Sequence, residues 1–198
     1  MGDTMWQPLS LHGRNGKRKY LNLVERELFI KASHQLPLQR KAFCLLLAYT
    51  GCRISEALQQ NRQTLDVLEL AVIFETLKQR RRGVFRSVPI PKELMELLLE
   101  LPDDRFFDFS RTTGWRIVKQ VMSNAQIEGF EHTMPKGLRH SFGITHSTAK
   151  TPQNLIQRWM GHAKAETTRI YQDAVGVEER AFASATWGSL SDENRKKF

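Results

Sequence analysis

The residues that decide what this chain is are Met160-Gly161-His162-Ala163-Lys164-Ala165-Glu166-Thr167-Thr168-Arg169-Ile170-Tyr171. A Gly-His pair with a tyrosine nine residues after the histidine means little alone, because such pairs are common. Two earlier stretches change its weight: Lys136-Gly137-Leu138-Arg139-His140-Ser141-Phe142, and Thr50-Gly51-Cys52-Arg53-Ile54-Ser55-Glu56-Ala57-Leu58. Arg139 lies 23 residues before His162, and Arg53 lies 86 residues before Arg139. Only folding can bring the two arginines together.

The 198 residues carry a formal net charge of +9, with 40% hydrophobic and 26% charged residues, a globular rather than a polyelectrolyte composition. The excess is local. Residues 1–20 have a net +3, from Arg14, Lys17, Arg18 and Lys19 against Asp3, and residues 78–92 have +6 with no acid. Two such foci suggest contact with a polyanion, the alternative being solvated surface runs. No apolar run approaches the roughly 20 residues of a membrane helix, and residues 1–20 lack the apolar block of a signal peptide. A cytoplasmic protein is therefore expected. Cys44 and Cys52 are too few for a disulfide framework or a cysteine metal site.

Local pattern predicts a mainly helical domain with a small three-stranded antiparallel sheet. Residues 1–20, with scattered glycines and no apolar periodicity, read as a flexible basic arm. Asn22 and Glu25 form a capping-box pair opening the first helix. A nearly all-apolar helix runs from Leu38 to Tyr49, with Gly51 as its left-handed stop. Apolar residues from Leu65 to Phe74 and from Val84 to Ile90 flank a basic turn at Gln79–Gly83, the pattern of a hairpin. Pro91 opens a helix through Leu101, and others cover Thr113–Ala125, Pro135 through Ile144, Thr151 to Gly161 and Thr167–Ala174. Residues 21–175 make the domain, and residues 176–198 a tail that docks in cis or in trans.

Together the three stretches resemble the catalytic boxes of the tyrosine recombinase (phage integrase) family, in order and spacing, over about residues 22–180. The resemblance implies a helical catalytic domain with a small sheet. It assigns Arg53 and Arg139 as the catalytic arginines, Lys136 as an accepted variant of the commoner histidine, His162 as the histidine after glycine, and Tyr171 as the nucleophile. Lys78 matches the lysine of the family's β-hairpin, from its place before the basic turn and the Val88-Pro89-Ile90-Pro91 that ends it. The implied activity is site-specific recombination of double-stranded DNA at inverted repeats, by a homotetramer, through a 3′-phosphotyrosine, with no metal, cofactor or ATP. With about 20 residues before the first helix, the chain resembles members consisting of the catalytic domain alone.

The residue types fit that chemistry on their own. Splitting a phosphodiester without a metal needs a nucleophile, cations for the charge on the pentacoordinate phosphorus, and an acid for the leaving oxygen. Arginine forks fit two non-bridging oxygens as a lysine does not. Lys136 and Arg139, three apart on a helix, share a face. His162 adds a donor, and Lys78 suits protonation of the departing 5′ oxygen if neighbouring cations lower its pKa. Arg80, Arg81, Arg82 and Arg86 are expected phosphate contacts, or else a solubilising sheet edge. Glu56 either orients Arg53 or forms an exposed helix pair. His140 packs beneath the site or bonds backbone. His132, His140, His146 and His162 fall within 31 residues, yet no carboxylate or cysteine stands at a ligand spacing, so no metal is expected. Trp115, Trp159 and Phe142 read as core aromatics, Tyr49 as core and Tyr20 as part of the arm. Two other functions fit the motifs: a DNA-binding regulator that kept the fold, and a topoisomerase of type IB.

Overall fold

The structure, a computed structural model, describes residues 10–13, 16–75, 83–129 and 131–172. Eight helices and three strands occur in these segments: α1 (Leu23–Ser33), α2 (Leu38–Thr50), α3 (Ile54–Ala57), β1 (Leu65–Asp66), β2 (Ala71–Glu75), β3 (Phe85–Pro89), α4 (Lys92–Leu99), α5 (Arg111–Asn124), α6 (Pro135–Thr148), α7 (Gln153–Met160) and α8 (Glu166–Arg169). The sheet order is β1-β2-β3, antiparallel throughout, with Val72 opposite both Leu65 and Val88. This is the mainly helical, small-sheet architecture the sequence predicts.

Local chemistry places the boundaries. Asn22 accepts from the Glu25 N–H at 2.8 Å while the Glu25 carboxylate takes the Asn22 N–H at 3.0 Å, so α1 begins with the expected capping box. Gly51 (φ 60°) and Gly161 (φ 62°) end α2 and α7 in the left-handed region, where a Cβ is disfavoured. Pro135 starts α6, where its missing N–H costs nothing.

The apolar residues form two clusters. The larger is built on α2, whose residues from Ala42 to Ala48 are all buried, with α1, α4, α5 and the sheet around it. Phe43 meets Phe107 and Phe109 edge to face at 5.2 and 5.0 Å. The smaller cluster joins Leu11 and Tyr20 to Phe142, Ile144, Ile156, Met160, Ile170 and Tyr171, and Trp159 packs against both.

Three expectations need correction. The described part of the first 20 residues is packed: His12 bridges to Arg18, the Arg18 fork lies on Glu25 at 2.5 Å, and Leu11 and Tyr20 are buried. Trp115 is 44% exposed, because α5 turns Gly114, Ile117, Val118, Val121 and Met122 inward. Tyr49 lies at the rim of the larger core, half-buried, with the Arg26 guanidinium 5.5 Å above its ring.

Candidate active site

Arg53 precedes α3 in extended backbone (φ −80°, ψ 153°), and Glu56, one turn on, reaches back to it. Glu56 Oε2 accepts from the Arg53 N–H at 2.7 Å, and Oε1 from Arg53 Nη1 at 2.8 Å. Oε2 also accepts from Arg86 Nη2 at 2.8 Å. Arg86 Nε donates to the Trp159 carbonyl at 2.8 Å, and its guanidinium stacks 5.0 Å from the Phe74 ring centre. Glu56 is 1% exposed and Arg86 5%, whereas a quarter of the Arg53 side chain reaches solvent. Burial opposes ionisation of Glu56, but the charge of Arg86 and the bonds from Arg53 outweigh it and hold the carboxyl below its ordinary value.

Glu56 is therefore an orienting partner of Arg53, not an exposed helix pair. Arg86 is a correction. It was expected on a phosphate, and its guanidinium is instead enclosed between Glu56, Trp159 and Phe74. The strand pattern carried the signal, since β3 alternates with Phe85, Ser87 and Pro89 outward and Arg86 and Val88 inward.

Arg139 rises from α6 between two helix ends. Its Nη1 donates to the carbonyl of Gly51 after α2, and its Nη2 to that of Met160, the last residue of α7, at 2.5 Å. Carbonyls at helix C-termini have no intrahelical donor and carry partial negative charge, so both suit a guanidinium. Burial, then the charge of Arg53, lowers the Arg139 pKa to about 10, which leaves it cationic at neutral pH. Lys136, at the start of α6 one turn before Arg139, is exposed.

His162 follows the Gly161 turn, and its Nδ1 lies 2.9 Å from Thr168 Oγ1. Burial and the charges of Arg139 and Arg53 push its pKa down to about 3, so the ring is neutral. It stacks on Tyr171, with centroids 6.1 Å apart and planes at 18°. Tyr171 occupies a 3-10 turn after α8, only 2% exposed. Its ring presses on α6 at Gly143, where a Cβ would come within 2.6 Å. Burial raises the phenol to about 12 against the opposing pull of Arg139 and Arg53.

The contact that sequence reasoning missed is at the phenol oxygen, where His140 Nδ1 lies 3.1 Å from Tyr171 Oη. Burial, then Lys136, Arg139 and Lys19, depresses His140 to about 3. The four histidines do not converge on a point: His132 faces Glu25, His146 faces Thr151, His140 holds Tyr171 and His162 holds Thr168.

Arg53, Arg139, His162 and Tyr171 thus come from four separate segments to one place, where the charge of Arg53 acts on the other three. Lys78, Arg80, Arg81 and Arg82 lie outside the described residues, as do the tail residues 176–198.

This combination of fold and site is that of a tyrosine recombinase catalytic domain. The family model described as "Phage integrase family" matches residues 19–175, and the chain belongs to that family. Tyrosine recombinase XerD of Neisseria meningitidis serogroup A is 30% identical over 158 residues, covering 71% of this chain and 52% of that protein. XerD of Mycobacterium leprae is 27% identical over 163 residues, covering 71% and 50%. The chain thus spans about half the length of these curated relatives. Among solved structures, XerA recombinase aligns with a TM-score of 0.72 at 22% identity, over 84% of this chain and 64% of that one. The catalytic domain of bacteriophage HP1 integrase aligns with a TM-score of 0.59 at 20% identity, over 87% and 96%.

Proposed function

We propose that the chain is a site-specific DNA recombinase in which Tyr171 attacks a DNA phosphodiester and forms a 3′-phosphotyrosine. The observation that carries this reading is the meeting of Tyr171 with Arg53, Arg139 and His162 in one partly enclosed site. A guanidinium has five N–H donors. Those of Arg53 and Arg139 not used on Glu56 and the two helix-end carbonyls take the non-bridging oxygens, pre-aligned so that little reorganisation accompanies charge build-up. Lys136 and the Nε2–H of neutral His162 add donors, and Lys78 protonates the leaving 5′ oxygen. The covalent link conserves the bond energy, so a 5′-hydroxyl from a second duplex rejoins the strand without ATP.

Residues 21–175 act as the catalytic domain, flanked by the basic segment 1–20 and the tail 176–198. The substrate is double-stranded DNA with inverted repeats, bound by four copies of the chain in the nucleoid. Support for a DNA surface comes from α5, which packs on α3 and exposes Arg111, Thr112, Trp115, Arg116 and Gln120. Arginine and glutamine are side chains that read base edges. The relatives named XerD are recombinases, and one aligned structure is XerH bound to its difH substrate before cleavage (TM-score 0.69, 19% identity, over 89% of this chain and 59% of that one).

The test uses a pool of random-sequence duplexes, each with a nick that lets the cleaved end escape. A protein–DNA adduct stable to denaturation, on a 3′ end and absent with Tyr171→Phe, is expected. Two copies of a selected duplex on one plasmid should then be inverted or excised. No adduct, or an adduct that persists in Tyr171→Phe, overturns the proposal. Supercoil relaxation with no exchange replaces it by the topoisomerase reading.

A further inference from the structure

Tyr171 Oη is the reacting atom of the proposed cleavage, and the side chain on it is His140, with Nδ1 at 3.1 Å. The two rings lie 5.8 Å apart and are tilted by 55°, and a ring nitrogen is the atom that meets the phenol oxygen. Both residues are held in place. Tyr171 presses on Gly143, one turn from His140 on the same helix, and is buried in one apolar cluster with Leu11, Tyr20, Phe142 and Met160. His162 cannot take the same part in this geometry, because it stacks on the tyrosine ring and commits Nδ1 to Thr168.

We propose that His140 is a further catalytic residue, whose Nδ1 accepts the Tyr171 proton as Oη attacks phosphorus and returns it when the strand is resealed. The proposal rests on the recombinase reading above and assigns a step which that reading leaves open. In cleavage, an Oη lone pair forms the new O–P bond, the Oη–H pair stays on oxygen, and the proton passes to His140, giving an imidazolium. The P–O5′ bond breaks with its electrons on O5′, which takes a proton from Lys78. Resealing reverses each transfer: the incoming 5′-hydroxyl gives its proton to Lys78, and the imidazolium gives its own to the departing phenolate. No oxidant, metal or further reactant is needed. Nδ1 carries the lone pair and Nε2 the hydrogen in the resting tautomer.

The surroundings set when the base works. The charges facing His140 are Lys136 and Arg139 from its own helix and Lys19 from the N-terminal segment, with His162 and Tyr171 from the segments after α7. With burial, the three cations keep the free ring neutral, its lone pair open, and hold its basicity down until substrate arrives. A DNA phosphate drawn in by those cations offsets their charge and raises the basicity of His140 in the complex. Proton acceptance is thereby coupled to substrate binding.

The test measures single-turnover cleavage of a duplex selected above by the unsubstituted protein, His140→Asn and His140→Ala. Asparagine can still hydrogen-bond the phenol from nearly the Nδ1 position but cannot take up a proton in this pH range. Both variants should bind the duplex with unchanged affinity and cleave about a hundredfold more slowly, the scale of a general-base contribution. Added imidazole should accelerate His140→Ala and leave the unsubstituted protein unchanged. A substrate with sulfur in place of the bridging 5′ oxygen, whose leaving group needs no acid, should restore Lys78→Ala but neither His140 variant. Cleavage by His140→Asn within threefold of the unsubstituted rate overturns the proposal, as does full restoration of His140→Asn by the sulfur substrate. Absence of an adduct with the unsubstituted protein overturns the recombinase reading and this proposal together. A normal adduct rate insensitive to His140 overturns this proposal alone.

Discussion

Replacing Glu56 by glutamine keeps the shape of the side chain and removes the one negative charge between Arg53 and Arg86. Glu56 accepts three hydrogen bonds, two at 2.8 Å from guanidinium groups and one at 2.7 Å from the Arg53 N–H. Arg86 is almost fully enclosed, so the substitution leaves a buried cation beside an amide that cannot neutralise it. Breaking a buried pair from one side costs about 3–5 kcal/mol, out of the roughly 5–15 kcal/mol that stabilises a typical domain. For a chain of this size each kcal/mol moves Tm by about 2–4 °C, so a fall of about 6–20 °C is expected. A thermal melt followed by circular dichroism measures the shift, and equilibrium urea unfolding the free-energy loss. The double variant Glu56→Gln with Arg86→Met should be more stable than Glu56→Gln alone, because it also removes the buried cation that Glu56 neutralises. A loss under about 1 kcal/mol, or a double variant worse than the single, would refute the account of this pair. Acid should act in the same direction. Since the folded carboxyl is held below its ordinary value, its contribution is complete above the unfolded pKa, about 4.3, and disappears as pH falls through the folded value.

Arg139→Lys cannot bridge the Gly51 and Met160 carbonyls with one head group, so the cleavage rate should fall roughly a hundred- to thousandfold while DNA affinity changes little; single-turnover assays and gel shifts separate the two. Gly143→Ala puts a Cβ within 2.6 Å of the Tyr171 ring, which should cost about 1–3 kcal/mol of stability and abolish adduct formation through displacement of the tyrosine. His140 and His162 are depressed to about 3 in the fold, so between that value and about 6.5 the unfolded chain binds more protons. Stability should therefore be complete above about 6.5 and fall as pH drops, with each histidine contributing up to about 1.4 kcal/mol per pH unit; His140→Asn should lower the slope measured by urea unfolding from pH 7 to 5.

The helices and the sheet were legible because their signals are local: the Asn22–Glu25 cap, the glycines after α2 and α7, and Pro135 all act within a turn of the boundary they set. Arg53, Arg139, His162 and Tyr171 were legible as motifs, and their meeting required only the fold the motifs imply. Two features lay deeper. Arg86 belongs to a charge run, yet strand alternation turns it inward to Glu56, so net charge pointed the wrong way where period two pointed the right way. The packing of Leu11 and Tyr20 into one cluster with Tyr171 joins residues about 150–160 positions apart, and no local pattern announces it. His140 was passed over because adjacent residues on a helix point about 100° apart. The turn that brings Tyr171 back onto α6 gives that second direction its partner.

The most direct test is the identity of the covalent bond. After cleavage of a selected nicked duplex, protease digestion and mass spectrometry should find the peptide containing Tyr171 carrying a nucleotide joined through its 3′-phosphate, and the released strand should begin with a free 5′-hydroxyl. A nucleotide on any other residue, or a 5′-phosphate on the released strand, would contradict the account.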